Sequence, residues 1–333
     1  MSAPESPPTA EAPGIPRLLL TGAAMGVADA VPGVSGGTIA LIAGIYDRWL
    51  AAFADLLAPL RRPLAGSSWR ACARGLGFLL PLYAAVGLAL WVSLRVLVGH
   101  GPEVGADPAA LQAALAEAPG LLINPATAPA VFALFFGLVA ATVREPWCAR
   151  QRAHWSDLAL FILGAALAAG LALSPALGSA PTPLALLVGG AIAIAVMLLP
   201  GVSGSLALLV LGLYQPVAAG AVAFDFAVLL PFALGLVCGL ALVVPLLRAL
   251  LAHAHDRTMA VLAGLMAGSL VALWPWKTHY YPKAIALLGP MLPSAPQGPW
   301  WWALIAAAVG AALVPVLRWL AVRVARASTA PLR

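Results

Sequence analysis

The chain carries the same helix-breaking motif twice, each time in the middle of a long apolar stretch. Residues 31–37 read VPGVSGG and residues 199–205 read LPGVSGS. The offset of 168 positions that aligns Ser35 with Ser203 also aligns Tyr46 with Tyr214. A single offset that holds through the loop and the segment after it indicates an internal duplication. Because Pro and Gly interrupt helices, neither apolar stretch is expected to form one straight helix.

The remainder of the chain is as apolar as these two stretches. Hydrophobic residues make up 62% of the 333 residues and charged residues only 9%, and the mean hydropathy is +0.98. A water-soluble domain could not bury that much apolar surface, so the composition predicts a helical membrane protein with several spans. Its 32 glycines and 30 prolines suit this class, because neighbouring helices satisfy the backbone groups that these residues leave free.

The positions of Lys and Arg predict how each segment is oriented, since cytoplasmic loops of membrane proteins are enriched in them. Arg17 precedes the first apolar stretch, at about 18–46, and five arginines follow it within residues 48–74, so both of its ends are predicted to be cytoplasmic. The second stretch, at about 184–214, is flanked by segments without Lys or Arg and is predicted to enter from outside. Full spans are predicted at about 75–98, 130–143, 157–174, 226–247, 258–274 and 300–317.

The predicted fold is an all-α polytopic membrane protein built as an inverted repeat, an architecture typical of secondary transporters. Each unit is a re-entrant broken-helix hairpin followed by three transmembrane helices, and both termini are cytoplasmic. The predicted parts are a disordered tail at 1–16, a first repeat at 17–174, a second, inverted repeat at 175–322 and a basic cytoplasmic tail at 323–333.

The motif loops carry the chemistry that the sequence predicts. After each PGVSG the chain re-enters a helix, whose free N–H groups and positive dipole end are expected to point toward the membrane centre. Glycines let an oxyanion approach the backbone, and hydroxyl groups add further donors. The alternative is that the motif serines only cap their own helices. The predicted anion-binding residues are Pro32, Gly33, Ser35, Gly36, Gly37, Thr38, Gly201, Ser203, Gly204 and Ser205.

Two charged residues fall within predicted membrane segments. Asp29 lies three residues before Pro32, and a carboxylate at membrane depth is costly enough to indicate a function. Its counterpart in the second copy is Met197, so the hairpin does not require it. We expect Asp29 to couple transport to protons, with capping of the loop backbone as the alternative. For Arg95, near the outer end of its span, we expect extension to the interface, with a contact to an outer-leaflet phosphate as the alternative.

Other motifs predict helix packing or suggest alternative functions. The GxxxG pairs at 22–26 and 264–268 predict close helix contacts. Residues 33–37 also fit the nucleophile elbow GxSxG, but all five histidines fall in predicted loops or at span ends, away from either serine. An intramembrane serine hydrolase is therefore the lesser alternative, and no enzyme is expected. No cofactor, metal or disulfide is expected either, because the cysteines lack ligand spacing: Cys72, Cys148 and Cys238.

The run MGVADAVPGVSGGT at 25–38, with LPGVSG at 199–204 and GSL at 268–270, closely resembles the bacterial polyprenyl-phosphate transporter family. The resemblance extends over nearly the whole chain from Arg17 and departs at 140–141, where a small-residue turn like that at 268–269 is expected. It implies translocation of undecaprenyl phosphate, or a similar polyprenyl phosphate, from the outer to the inner leaflet of the bacterial cytoplasmic membrane. This step recycles the carrier lipid of cell-wall synthesis.

The partners expected from this resemblance are the polyprenyl phosphate lipid and the bilayer, without nucleic acid. The phosphate is expected to lie between the two motif loops, while the prenyl chain stays in lipid through a lateral opening. A carrier for a small soluble anion is the alternative within transport.

Overall fold

The computed structural model describes residues 14–31, 34–98, 107–117, 120–152, 154–175, 181–280, 291–296 and 300–328. Within these ranges the protein is helical, and its extended pairing is limited to an isolated bridge between Lys277 and Pro293. The helices are α1 (Ile15–Asp29), α2 (Gly36–Ile42), α3 (Tyr46–Leu56), α4 (Ala58–Arg61), α5 (Gly66–Ser93), α6 (Pro108–Ala116), α7 (Ala128–Thr142), α8 (Arg144–Cys148), α9 (Trp155–Leu173), α10 (Pro183–Leu198), α11 (Gly204–Val210), α12 (Tyr214–Ala223), α13 (Phe226–His253), α14 (His255–Ser269) and α15 (Trp301–Ser328). A π-helical turn, Leu94–Val98, extends α5.

Length and composition identify the membrane helices. Among the described residues, four helical segments are long and apolar enough to cross a membrane: Gly66–Leu97, Ala128–Cys148, Trp155–Leu173 and Phe226–His253. The number rises to five if α11 and α12, which meet at 114°, form one bent span. The protein is therefore an all-helical, multi-pass membrane protein, as its composition predicts. Helix α10 and the first part of α15, Trp301–Val316, are apolar but shorter.

Both apolar stretches are interrupted where the motifs predict. The first breaks between α1 and α2, and the second between α10 and α11. Gly201 adopts a φ of +88°, a conformation that L side chains rarely take, so the second break requires glycine there. Residues 1–13 of the predicted N-terminal tail and 329–333 of the C-terminal tail lie outside the described residues, and α1 begins at Ile15.

Several predicted boundaries were wrong. The segment between the predicted spans 75–98 and 130–143, for which no helix was predicted, contains α6, because the Asp107 side chain accepts a hydrogen bond from Ala109 N and Pro108 suits the first helical position. The span predicted at 258–274 ends at Ser269, whose hydroxyl turns back to the Met266 carbonyl, and Pro275 disfavours a longer helix. Helices α3 and α12, which follow the broken stretches, had not been predicted.

Packing between long helices is concentrated in four pairs, α1 with α5, α10 with α13, α9 with α14, and α7 with α15. Every pair meets through glycine. Gly22 and Gly26 of α1 lie directly against backbone carbonyls of α5, and Gly264 and Gly268 of α14 lie against those of α9. These contacts confirm the close packing predicted from the two GxxxG pairs, since only glycine lets two backbones approach so closely.

The register of these contacts shows that paired helices run parallel. From Gly22 to Gly26 along α1, the facing carbonyl moves from Leu82 to Val86 along α5. Likewise, between Gly235 and Gly239 of α13 the facing residue moves from Leu187 to Ala191 of α10, and α9 and α14 follow the same rule. A short turn can join only antiparallel helices, so two parallel helices that pack together are separated by a longer part of the chain. The glycine contacts therefore join segments far apart in sequence.

After each interruption the chain turns back. The helix before the break packs along a long helix, and the helix after the break returns to the beginning of that same long helix. In the first half, α3 returns to the first turns of α5, where Gly75 lies against Ala52. In the second half, α12 returns to the start of α13, where Gly220 lies against Val228. Each broken stretch therefore runs along a long helix and comes back to the same end of that helix.

These contacts generate a stability prediction for α9. A methyl group on Gly164 would lie 2.6 Å from the Val261 carbonyl oxygen of α14, whereas one on Gly170 meets nothing within 4 Å. Gly164→Ala should lower the free energy of unfolding by about 1–3 kcal/mol, the cost of overpacking. Gly170→Ala, on the same helix, should leave it unchanged or raise it slightly. Thermal unfolding of both variants in detergent measures this, and equal melting temperatures would contradict the packing described.

Candidate functional site

The two motif loops lie against each other in the centre of the protein. Thr38 Oγ1, which is fully buried, accepts a hydrogen bond of 3.0 Å from Gly201 N. The buried Tyr46 hydroxyl donates one of 2.8 Å to the Leu198 carbonyl oxygen. Both bonds join the first half of the chain to the second, so the predicted anion-binding residues of the two copies are brought together.

At the first motif, the start of α2 is already occupied by side chains of the protein. Ser35 Oγ accepts a hydrogen bond from Gly37 N at 3.2 Å, and the Asp29 carboxylate accepts one from Gly36 N at 2.6 Å. At the other end of α2, the Arg17 guanidinium donates to the Ala43 carbonyl at 2.7 Å. A negative charge at the N-terminus and a positive charge at the C-terminus both complement the helix dipole. In this geometry Ser35 and Asp29 act as caps.

The second motif differs in this respect. Met197 replaces the carboxylate, and no side chain caps the start of α11. Ser203 Oγ instead lies 2.8 Å from Ser205 Oγ, so the two hydroxyls share one hydrogen bond. Neither end of α11 carries a charged residue. The two copies are thus alike in backbone and different in electrostatics, because only the first copy supplies charges to its own short helix.

The predicted site residues that the structure describes all lie in this central region. Most of them are buried: Ser35, Gly36, Gly37, Thr38, Gly201, Ser203 and Gly204. Ser205 and Asp29 are partly buried. Pro32 and Gly33 lie outside the described residues. Arg95 is elsewhere, exposed on the turn after α5 with its guanidinium 5.2 Å from the centre of the Trp91 ring.

Two residues for which no role was predicted hold parts of this framework. Tyr46 bridges the loops, and the only signal for it was its alignment with Tyr214. Lys277 is 5% exposed, donates to the Ala272 carbonyl at 2.6 Å and lies 4.6 Å from the centre of the Phe132 ring. Burial lowers the pKa of Lys277 to about 7, because desolvation disfavours its charged form. Through its contact with Phe132, Lys277 holds the segment after α14 against α7.

The motif loops bring hydroxyl groups and glycines of both copies next to the starts of two short helices, α2 and α11. The hydrogen bonds described for Ser35 and Ser203 go to Gly37 and to Ser205, and neither is made to a histidine that could act as base. Within the described ranges no cluster of three His, Cys, Asp or Glu side chains forms a metal site. The three cysteines are free thiols.

Comparison with known proteins identifies the family. A family model described as Undecaprenyl phosphate translocase-like matches residues 25–100 and 120–285, which include both motif loops. A protein of Vibrio cholerae serotype O1 named Polyprenyl-phosphate transporter is 36% identical over 269 residues, covering 78% of this chain and 77% of its own. No solved structure matches the chain. The chain belongs to the undecaprenyl phosphate translocase-like family.

Proposed function

We propose that this protein is a transporter that moves undecaprenyl phosphate, or a similar polyprenyl phosphate, from the outer to the inner leaflet of the bacterial cytoplasmic membrane. The observation that carries the proposal is the junction of the two motif loops, buried at the centre of a membrane protein of this family. The phosphate lies at this junction and the carrier lipid is recycled for cell-wall synthesis. The protein acts as a transporter and not as an enzyme.

The transporter is an inverted repeat in this proposal, with α1, α2, α3, α5, α7 and α9 matching α10, α11, α12, α13, α14 and α15. Helix packing supports this, because the pair α1–α5 maps onto α10–α13 and the pair α7–α15 maps onto α14–α9. The ends of α5 and α13 support the inversion. Leu97, just after α5, accepts a hydrogen bond from Leu122, shortly before the start of α7. Helix α13 instead ends where α14 begins, and α14 packs against α8, which follows the end of α7.

The side on which α13 ends is the cytoplasmic side. Asp256, at the start of α14, accepts hydrogen bonds from the backbone of Gln151 and Arg152 at 2.8 and 3.0 Å. The basic turn after α8 and the start of α14 thus lie together, as expected of two cytoplasmic loops. In this proposal both motif hairpins are re-entrant, the first from the cytoplasm and the second from outside, and the return of α3 and α12 supports this.

Thiol labelling tests this topology. In a variant without Cys72, Cys148 and Cys238, single cysteines at positions 17, 61 and 150 should be shielded from an impermeant reagent added to the outside of cells. Cysteines at positions 110, 180 and 219 should be labelled, because their segments are proposed to face the outside; Ala219 is chosen because it is exposed, whereas its neighbour Gly220 packs against Val228. Permeabilised cells provide the control, since all six should then react. Labelling of position 61 from outside would exclude a re-entrant first hairpin.

The hydroxyls of the motif loops should each contribute to phosphate binding. Ser203→Ala should reduce lipid-phosphate transport in proteoliposomes on the order of ten-fold, because a hydrogen bond to a charged group contributes about 1.5–3 kcal/mol. Ser35→Ala should reduce transport similarly and also cost about 1 kcal/mol of stability, since Ser35 caps α2. Ser174→Ala, whose hydroxyl bonds within α9, is the control. Normal transport by both motif variants would place the head group elsewhere.

Asp29 couples transport to protons in this proposal. Its carboxylate and an incoming phosphate would compete for the Gly36 N–H, and two neighbouring anions repel each other in a low-dielectric site. Protonation of Asp29 when the phosphate arrives removes that repulsion and partly neutralises the charge carried inward. The proton is released with the phosphate on the cytoplasmic side.

Asp29→Asn should separate this role from capping. Asparagine keeps an oxygen acceptor for Gly36 N, so the variant should fold and still bind lipid phosphate, but its flux should no longer respond to a pH gradient. Asp29→Ala removes the acceptor and should in addition destabilise the protein by about 1 kcal/mol. Protein abundance and gradient-driven flux are measured on both variants. An asparagine variant with undiminished pH-dependent flux rules out the proton role.

A further inference from the structure

A groove of about 320 Å³ lies between the two halves of the protein. The first half contributes residues of α3 and α5, including Phe53, Leu80 and Tyr83, and the second half contributes Ile194 and Met197 of α10. Apart from the Tyr83 hydroxyl, its lining side chains are hydrocarbon or thioether. Leu80, at the edge of the groove, is 63% exposed, and because α5 is long and apolar enough to cross a membrane, this side of it is expected to face lipid. An apolar ligand chain could therefore enter sideways from the bilayer.

Met197 connects this groove to both motif loops. Its carbonyl oxygen lies 3.6 Å from the position that a Cβ on Gly37 would occupy, and its own Cβ lies 3.2 Å from the corresponding position on Gly204. The inner end of the groove therefore abuts the start of α2 and the start of α11. A molecule with an anionic head at the loops and an apolar tail would have its tail in the groove, where hydrophobic lining accounts for most of the binding.

A second groove provides the comparison. It is larger, about 530 Å³, and lies between α1 and α5, with Leu19, Val27 and Leu88 in its wall. All of its lining residues belong to the first half, and none lies in the second motif. A tail placed there would start from α1 and not from the junction of the two loops. As the binding place of an apolar tail, the groove between α1 and α5 is favoured by its size. The groove between α3, α5 and α10 is favoured because it continues to the junction of the motif loops.

We propose that the groove formed by α3, α5 and α10 binds the isoprene units next to the phosphate of the polyprenyl phosphate substrate. This inference rests on the proposed function, and it adds the place where the substrate's tail leaves the protein. This tail groove suits an isoprenoid chain, because its walls offer apolar contacts along two turns of α5. The remainder of the chain extends into lipid past Leu80.

Photolabelling of the full-length protein in lipid nanodiscs tests the groove. The probe is an undecaprenyl phosphate analogue with a diazirine on the isoprene unit adjacent to the phosphate. Labelling that excess undecaprenyl phosphate abolishes, and that undecaprenol does not, should map to residues 76–83 and 194–197. The same type of labelling at residues 19–27 and 84–93 would assign the tail to the second groove and overturn the inference. Absence of any competed labelling would contradict the proposed function itself.

Two tryptophan variants on α5 give a matched test. Leu80 and Leu88 are two turns apart and similarly exposed, at 63% and 66%, but line different grooves. Leu80→Trp should weaken competed labelling on the order of ten-fold, as expected if about two methylene groups of the ligand lose their burial. Leu88→Trp should leave it unchanged, and both variants should melt like the unsubstituted protein. Equal labelling of the two variants, or a larger loss with Leu88→Trp, would refute the tail groove.

Discussion

Two interruptions of helical backbone leave buried polar groups where the two motif loops meet, and these groups need hydrogen-bond partners from the protein itself. Each unpaired N–H or C=O in such a place costs several kcal/mol. The first half supplies such partners for the second break, since Thr38 accepts from Gly201 N and Tyr46 donates to the Leu198 carbonyl. The first break is capped from within its own copy, by Asp29 and Ser35. The second break therefore depends on lying next to the first.

The glycine contacts supply the frame that holds the loops in register. Because α1 follows α5 and α10 follows α13 at backbone distance, the position of each loop along the membrane normal is fixed by a helix long enough to span it. The remaining pairs, α9 with α14 and α7 with α15, each combine one helix from either half. The halves are thus interlocked rather than merely adjacent, and the junction of the loops lies inside this interlocked frame.

Much of this architecture could be predicted, because Pro and Gly break or closely pack helices wherever they occur in the sequence. The positions of the breaks follow from PGVSG, four of the six predicted spans coincide with helices long and apolar enough to cross a membrane, and the close contacts follow from GxxxG. The roles of individual side chains could not be predicted in the same way. Whether Asp29 is free or bonded to Gly36 N depends on how the chain folds back after residue 31, which no local pattern specifies. The hydrogen bond of Tyr46 and the tail groove could not be predicted either, because both form only when α10 packs near the first half of the chain.

The different charges at the ends of α2 and α11 have a consequence for the empty protein. In a carrier with two perfectly equivalent halves, the outward-open and inward-open forms without ligand would have the same intrinsic energy. Here one half brings its own anion and cation to its short helix through Asp29 and Arg17, while the other half brings neither. The free energy of hydrating the first loop therefore differs from that of hydrating the second. In the proposed transport cycle, the unloaded molecule would therefore have a preferred resting form, and its return step would not mirror its loaded step.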